Sequence, residues 1–101
     1  MSQMVIAKRY AKALAGLAEK DQQLEQVDGE LQEFAESFQQ VNDLQNGLTN
    51  NKIPLQVREQ VLRDVVAQMK MSPLVSTFLR YVLSKRRIEL VPDIARAFSE
   101  L

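Results

Sequence analysis

Cysteine, histidine and tryptophan are absent from the 101 residues. Without imidazole or thiolate the common zinc sites are excluded, and so are cysteine nucleophiles and any triad built on histidine. Glycine is scarce: Gly16, Gly29 and Gly47 stand far apart, with no Lys-Ser or Lys-Thr behind them, so no phosphate-cradling loop is present. No run approaches the roughly 20 apolar residues of a membrane span, and the N-terminus lacks the basic region and apolar run of a secretory signal. Zero cysteines fit a reducing, cytosolic setting. Carboxylates, lysines and tyrosines remain, but nothing gathers them into one constellation. No catalytic, cofactor-binding or metal-ligating residue is therefore nominated, and a binding role is expected.

Thirteen Lys or Arg balance thirteen Asp or Glu, so no net field draws the chain to nucleic acid or to an anionic membrane. The charges are segregated all the same. Glu19 to Asp43 holds eight acids and one base, Lys20, whereas Lys70 to Arg96 holds six bases against Glu89 and Asp93. One acidic and one basic side are expected, able to orient a partner.

Apolar spacing is helical almost throughout and nowhere alternates as a strand would, so the fold class is all-α. Residues 1–101 suffice for one domain with its own core. A first helix is expected from Gln3 to Lys20, and a second, capped by Asp21, to Gln40, with the stripe Leu24, Val27, Leu31, Phe34, Phe38 joined by Ala35 and Val41. Asn42 is the expected cap of a short third helix, Asp43 to Leu48, before the polar loop Thr49-Asn50-Asn51. Pro54 suits the first turn of a fourth helix that buries Leu55, Val57, Val61, Leu62, Val65, Val66 and Met69. Ser72-Pro73, cap followed by proline, opens a fifth to about Lys85, and Lys85-Arg86-Arg87 compensates its C-terminal dipole. A sixth runs from Glu89 or Val91 to Leu101, with Leu90, Ile94, Ala97, Phe98 and Leu101 inward. Because Leu101 is still in helical phase, a longer parent protein is expected.

Two of these helices are too apolar for one core. From Met4 to Lys20 the apolar or alanine arc covers roughly 200°, about twice what a surface helix needs. It has a heavy half (Ile6, Tyr10, Ala13, Leu14, Leu17) and a small half (Ala7, Ala11, Ala15, Ala18), which suggests two packing partners, one of them outside the chain. The fifth helix (Leu74, Val75, Phe78, Leu79, Tyr81, Val82, Leu83) covers a similar arc.

Arg9-Tyr10-Ala11-Lys12-Ala13-Leu14 and the run from Phe78 to Phe98, with Lys85-Arg86-Arg87-Ile88 and Leu90-Val91-Pro92-Asp93-Ile94 inside it, resemble the N-terminal domain of the F-type ATP synthase delta subunit. That family includes the mitochondrial oligomycin-sensitivity-conferral protein. The resemblance covers the whole chain in element order and departs from the family pattern at Ala15, Gly16 and Asn51. It implies a compact six-helix bundle at the crown of the F1 head, part of a non-catalytic stator that links F1 to the peripheral stalk during proton-driven ATP synthesis. It also implies that a groove between helices one and five holds the N-terminal helix of an alpha subunit, at Ile6, Tyr10, Ala13, Leu17, Leu74, Phe78, Tyr81 and Lys85. Contact with the stalk b subunit is implied for a C-terminal part that this chain lacks. Met1 opening directly into helix one looks bacterial, which implies a peripheral place on the cytoplasmic face of the inner (plasma) membrane, with no direct insertion, no nucleic acid and no cofactor.

Plainer readings stand beside this one. Extra apolar surface is ordinarily core, and Leu14, Leu79 and Leu83 fit that best, whereas the amphipathic rings of Tyr10 and Tyr81 suit a half-wet groove edge. A generic helix-binding adaptor needs the same groove. A helix-turn-helix nucleic-acid binder would use Lys85-Arg86-Arg87, yet helix five offers few base-reading side chains. Glu25, Asp28, Glu33 and Glu36 could pair as acid and base, but a solvated helix face explains them more simply.

Overall fold

Ser2 opens the first helix. In the computed structural model, which describes residues 2–101, its backbone is extended and its hydroxyl accepts a hydrogen bond from the Val5 amide at 3.2 Å. From there α1 runs Gln3–Lys20, α2 Leu24–Gln40, α3 Asn42–Thr49, α4 Leu55–Gln68, α5 Pro73–Ser84 and α6 Val91–Ser99, with a single 3-10 turn at Ile88–Leu90. No strand occurs among the described residues. Met1 lies outside them, and with it the expectation that it leads straight into helix one. One apolar core draws side chains from every helix, and the radius of gyration, 12.7 Å, is what a single core of this length gives.

The small half of α1 faces that core. Ala7, Ala11 and Ala18 are fully buried with Leu14, and α6, itself carrying the buried small residues Ala95 and Ala97, packs along them. Short side chains on both helices allow close approach. The other end of α6 is fixed by hydrogen bonds: Gln32 donates to the Ala95 carbonyl and the Ser99 hydroxyl, both at 2.7 Å, and Ser99 donates to Asp28 at 2.8 Å.

The start of α5 is anchored twice. The Ser72 hydroxyl accepts from the Val75 amide, and the Ser72 amide donates to Glu30 of α2 at 2.6 Å. A carboxylate at a helix N-terminus is favoured by the macrodipole as well as by the bond itself. Cap and proline thus do here what the sequence led us to expect.

Elsewhere the helix ends differ from expectation, for local reasons. Asp21 does not cap α2. It closes α1 with Gln22, whose φ of 58° lets the Gln23 amide reach the Ala18 carbonyl at 2.8 Å, so α2 starts too far on for the Asp21 carboxylate. Asn42 is the first residue of α3 and not its cap, because one extended residue, Val41, joins the two helices: its amide donates to Ser37 and its carbonyl accepts from Gln45. Pro54 sits just before α4, its carbonyl accepting from Val57 and Arg58.

The buried faces also shift. On α4 the inward line is Arg58, Leu62 and Val66, so Val57, roughly 100° round the helix from Arg58, is half in solvent. Leu24 and Val41, assigned to the α2 stripe, are exposed at its ends, and Leu101 is exposed because α6 stops at Ser99 and its phase with Phe98 is lost. Arg58 is buried with its Nε donating to the Ile53 carbonyl at 3.0 Å, tying the loop to α4.

Three helices end on a left-handed residue that is not glycine: Gln22, Lys70 and Arg86, with φ of 58°, 56° and 58°. Each positions the next amide on a carbonyl five residues back. Glycine meets this conformation without strain, so Lys70→Gly should stabilise the fold by up to about 1 kcal/mol. Gly29 poses the opposite case. It lies on the exposed face of α2 at negative φ, with nothing within 4 Å of an added Cβ. Gly29→Ala should likewise add up to about 1 kcal/mol through helix propensity. Urea titrations of both variants check the pair: a lower midpoint for Lys70→Gly would contradict the strain argument, and one for Gly29→Ala the propensity argument.

Candidate functional site

Once its small half has gone to the core, the heavy half of α1 is left over. Ile6 and Tyr10 are half-buried, Ala13 is exposed and Leu17 is 53% exposed. On α5, Val75, Leu79, Val82 and Leu83 fill the core, while Leu74 and Phe78 are half-buried and Tyr81 is 52% exposed. These leftover faces turn toward each other. α1 packs chiefly on α6 and α5 on α4, and close backbone approach between α1 and α5 is sparse. The gap is bridged by rings: Tyr10 meets Phe78 and Tyr81 edge to face, at centroid distances of 6.2 and 6.4 Å.

The result is a groove of about 270 Å³ lined by Tyr10, Ala13, Leu14, Leu17, Leu74, Thr77, Phe78 and Tyr81. Its surface is apolar throughout. Clefts for drug-sized ligands run from roughly 300 to 1,000 Å³ and carry a few placed polar groups, so this smaller, apolar trough suits side chains projecting from a helix better. Four larger clefts, of about 330–450 Å³, differ in kind because each has charged or amide side chains in its lining. One, of about 370 Å³ between α2 and α6, is lined by Gln32, Glu36, Gln39 and Arg96 among others. The second, of about 450 Å³, is bounded by Thr49, Asn51, Arg58, Arg86 and Glu89 with Leu48 and Ile88. The other two, of about 440 Å³ at the start of α2 and about 330 Å³ between α1, α2 and α6, are bordered by Glu25, and none of the four is free of polar surface as the α1–α5 groove is.

Six of the eight residues nominated from sequence line the groove: Tyr10, Ala13, Leu17, Leu74, Phe78 and Tyr81. Ile6 packs partly on the core one turn before Tyr10 and is not in the lining. Lys85 stands at the end of the trough, with Nζ 5.4 Å from the centre of the Tyr81 ring. Arg87 lies over the Tyr10 ring at 6.0 Å and donates to the Tyr10 hydroxyl at 3.2 Å. Thr77 was missed, although Leu74, Thr77, Phe78 and Tyr81 follow the i, i+3, i+4, i+7 rule of one helix face; a search for apolar residues passes over its methyl group. Leu14, fully buried, serves the core and the groove floor together.

The other nominations scatter. Glu25 and Asp28 border a cleft with Ala15, Leu24, Phe98 and Leu101, and Glu36 belongs to the α2–α6 cleft. No group of three or more Asp or Glu able to hold a metal ion occurs among the described residues. In the basic triplet Lys85 and Arg87 fold back on the groove tyrosines, and Arg86 turns to the cleft with Arg58.

Comparison with known proteins gives this geometry its context. The sequence pattern of the ATP synthase delta (OSCP) subunit matches residues 6–101. The chain belongs to that family. It is 33% identical over all of its 101 residues to ATP synthase subunit delta of Syntrophobacter fumaroxidans, covering 55% of that protein. The Desulfotalea psychrophila subunit delta is 32% identical over 101 residues, with 56% of it covered, and that of Priestia megaterium 32% identical over 98, with 97% of this chain and 53% of the relative covered. The chain spans about half the length of the curated relatives it matches. The family match takes in every groove residue, from Tyr10 to Tyr81.

Proposed function

We propose that this chain is the F1-facing domain of a non-catalytic peripheral-stalk subunit of an F-type ATP synthase, and that its α1–α5 groove holds the N-terminal helix of an alpha subunit. The observation that carries the reading is the apolar trough between two helices whose backbones stand apart. An amphipathic helix laid in such a trough inserts anchors at i, i+3, i+4 and i+7, and Ala13 on one wall lets its backbone come close. Membership of the ATP synthase delta (OSCP) family supports this choice of complex.

The role is mechanical. A stator domain must hold its partner against torque, so a rigid bundle with fixed groove walls is what the task requires. The Glu30 bond to the start of α5 and the burial of α1 against α6 provide those walls. The relatives' further length is where contact with the b subunit belongs in this reading. No described helix is long and apolar enough to cross a membrane, and the domain is assigned a peripheral place on the cytoplasmic face of the inner membrane as part of the assembled enzyme.

The test is a titration of isotopically labelled protein with a peptide copying the N-terminal helix of the cognate alpha subunit. Resonances of Tyr10, Ala13, Leu17, Leu74, Thr77, Phe78 and Tyr81 should shift together, and those of α3 and α4 should stay. Saturable binding that perturbs α2 or α4 and spares the groove would overturn the assignment, as would no binding at millimolar peptide.

A further inference from the structure

The two helices that wall the groove are charged very unevenly. Residues 73–87, α5 and its closing turn, contain Arg80, Lys85, Arg86 and Arg87 and no acid. α1 carries Lys8, Arg9, Lys12 and Lys20 against one acid, Glu19, which borders a different cleft with Leu24 and Phe98. α2 is the reverse, with Glu25, Asp28, Glu30, Glu33 and Glu36 and no base. In a chain with thirteen charges of each sign, this segregation is a matter of placement and not of composition. Around the trough the placement is specific. Arg9 lies one turn before Ala13, Lys20 one turn after Leu17, and Lys85 and Arg87 stand over the two tyrosine rings at one end. An aromatic face attracts a cation without neutralising it. The rim therefore offers positive charge to whatever fills the apolar floor.

We infer that the occupant of the groove is an acidic amphipathic helix, with apolar anchors on the face toward α1 and α5 and carboxylates on its flank at the Tyr10–Tyr81 end, where Lys85 and Arg87 meet them. The inference rests on the groove being a helix site and adds the partner's charge and register to it. Opposite charges at the rim fix orientation and speed encounter, and a basic helix of equal apolarity is turned away by like-charge contact. Each exposed pair contributes modestly and is screened by salt, so two pairs together amount to roughly a tenfold effect at low ionic strength.

The experiment uses three peptides of one helical sequence, with the same anchors and either Glu, Gln or Lys at the two flank positions. Their affinities for this chain are measured at low and at high salt. The Glu peptide should bind about tenfold more tightly than the Gln peptide at low salt, the Lys peptide more weakly than both, and the differences should collapse at high salt. Lys85→Gln should narrow the gap between the Glu and Gln peptides, whatever it does to the affinity they share. Arg87→Gln should act alike, with its melting recorded because Arg87 also holds Tyr10. Lys85→Glu should bring the Lys peptide level with the Glu peptide. Three equal affinities, or a salt-independent gap, would overturn the acidic partner while leaving the groove a helix site. If none of the three shifts resonances of α1 and α5, the helix site itself is wrong and the inference falls with it.

Discussion

Ala13→Asp should weaken binding of a cognate helix to the groove by about a hundredfold or more while lowering the melting temperature by only a few degrees. Ala13 is exposed on α1 and lines the trough opposite Leu74 and Phe78. In the free protein a carboxylate there stays in water, so the cost is close to the helix-propensity difference of about 0.7 kcal/mol, or a few degrees in a domain of this size. In the complex the same carboxylate meets an apolar partner face and must shed its water without a compensating bond, a penalty of several kcal/mol. Binding and folding are thereby separated in one variant. Thermal melting and a peptide titration on the same sample check it: an unfolded variant, or one that binds as wild type does, removes Ala13 from the interface.

The surplus apolar faces of α1 and α5 were legible in the sequence for a physical reason, while their pairing into one groove was what the family resemblance implied. A helix that serves one core needs a narrow apolar stripe, and the excess width on α1 and α5 had to face something else. Composition divided the α1 arc into a heavy and a small half, and the structure gives the small half to the core, where Ala7, Ala11 and Ala18 are buried, while the tyrosines lie where a ring meets water. Ser2 went unassigned as a cap, but Ser72-Pro73 marked its helix start correctly because such a signal is local, one hydroxyl reaching an amide three residues on. Helix ends were less legible where a left-handed residue did the work. Gln22, Lys70 and Arg86 adopt that conformation although glycine favours it, so nothing in their identity announces a stop. Val41 ends one helix and begins the next, and a search for a polar cap settles on Asn42 instead. Arg58 was invisible for another reason: a charged residue is read as surface, yet its stem lies inside α4's packed line while Nε reaches the Ile53 carbonyl. Tertiary partners decide such burial.

Leu83→Asp should do the reverse of Ala13→Asp and unfold the domain. Leu83 has no exposed surface and lies two residues from Tyr81, which is 52% exposed on the groove side of the same helix. Loss of a buried leucine alone costs about 2–5 kcal/mol, which is the range expected for Leu83→Ala. Aspartate adds a charge with no counter-ion in the core, where a buried unpaired carboxylate costs several kcal/mol more or takes up a proton to avoid it. Native domains are stable by only about 5–15 kcal/mol, so the sum consumes most or all of the margin. Tyr81→Asp supplies the control, since its carboxylate stays in water and its melting temperature should fall by only a few degrees. Circular dichroism at 25 °C with urea titration separates the three: Leu83→Asp largely unfolded, Leu83→Ala folded with a much lower midpoint, Tyr81→Asp close to wild type. A cooperatively folded Leu83→Asp of near-native stability would mean that α5 is rotated from the orientation that sets both the core and the groove.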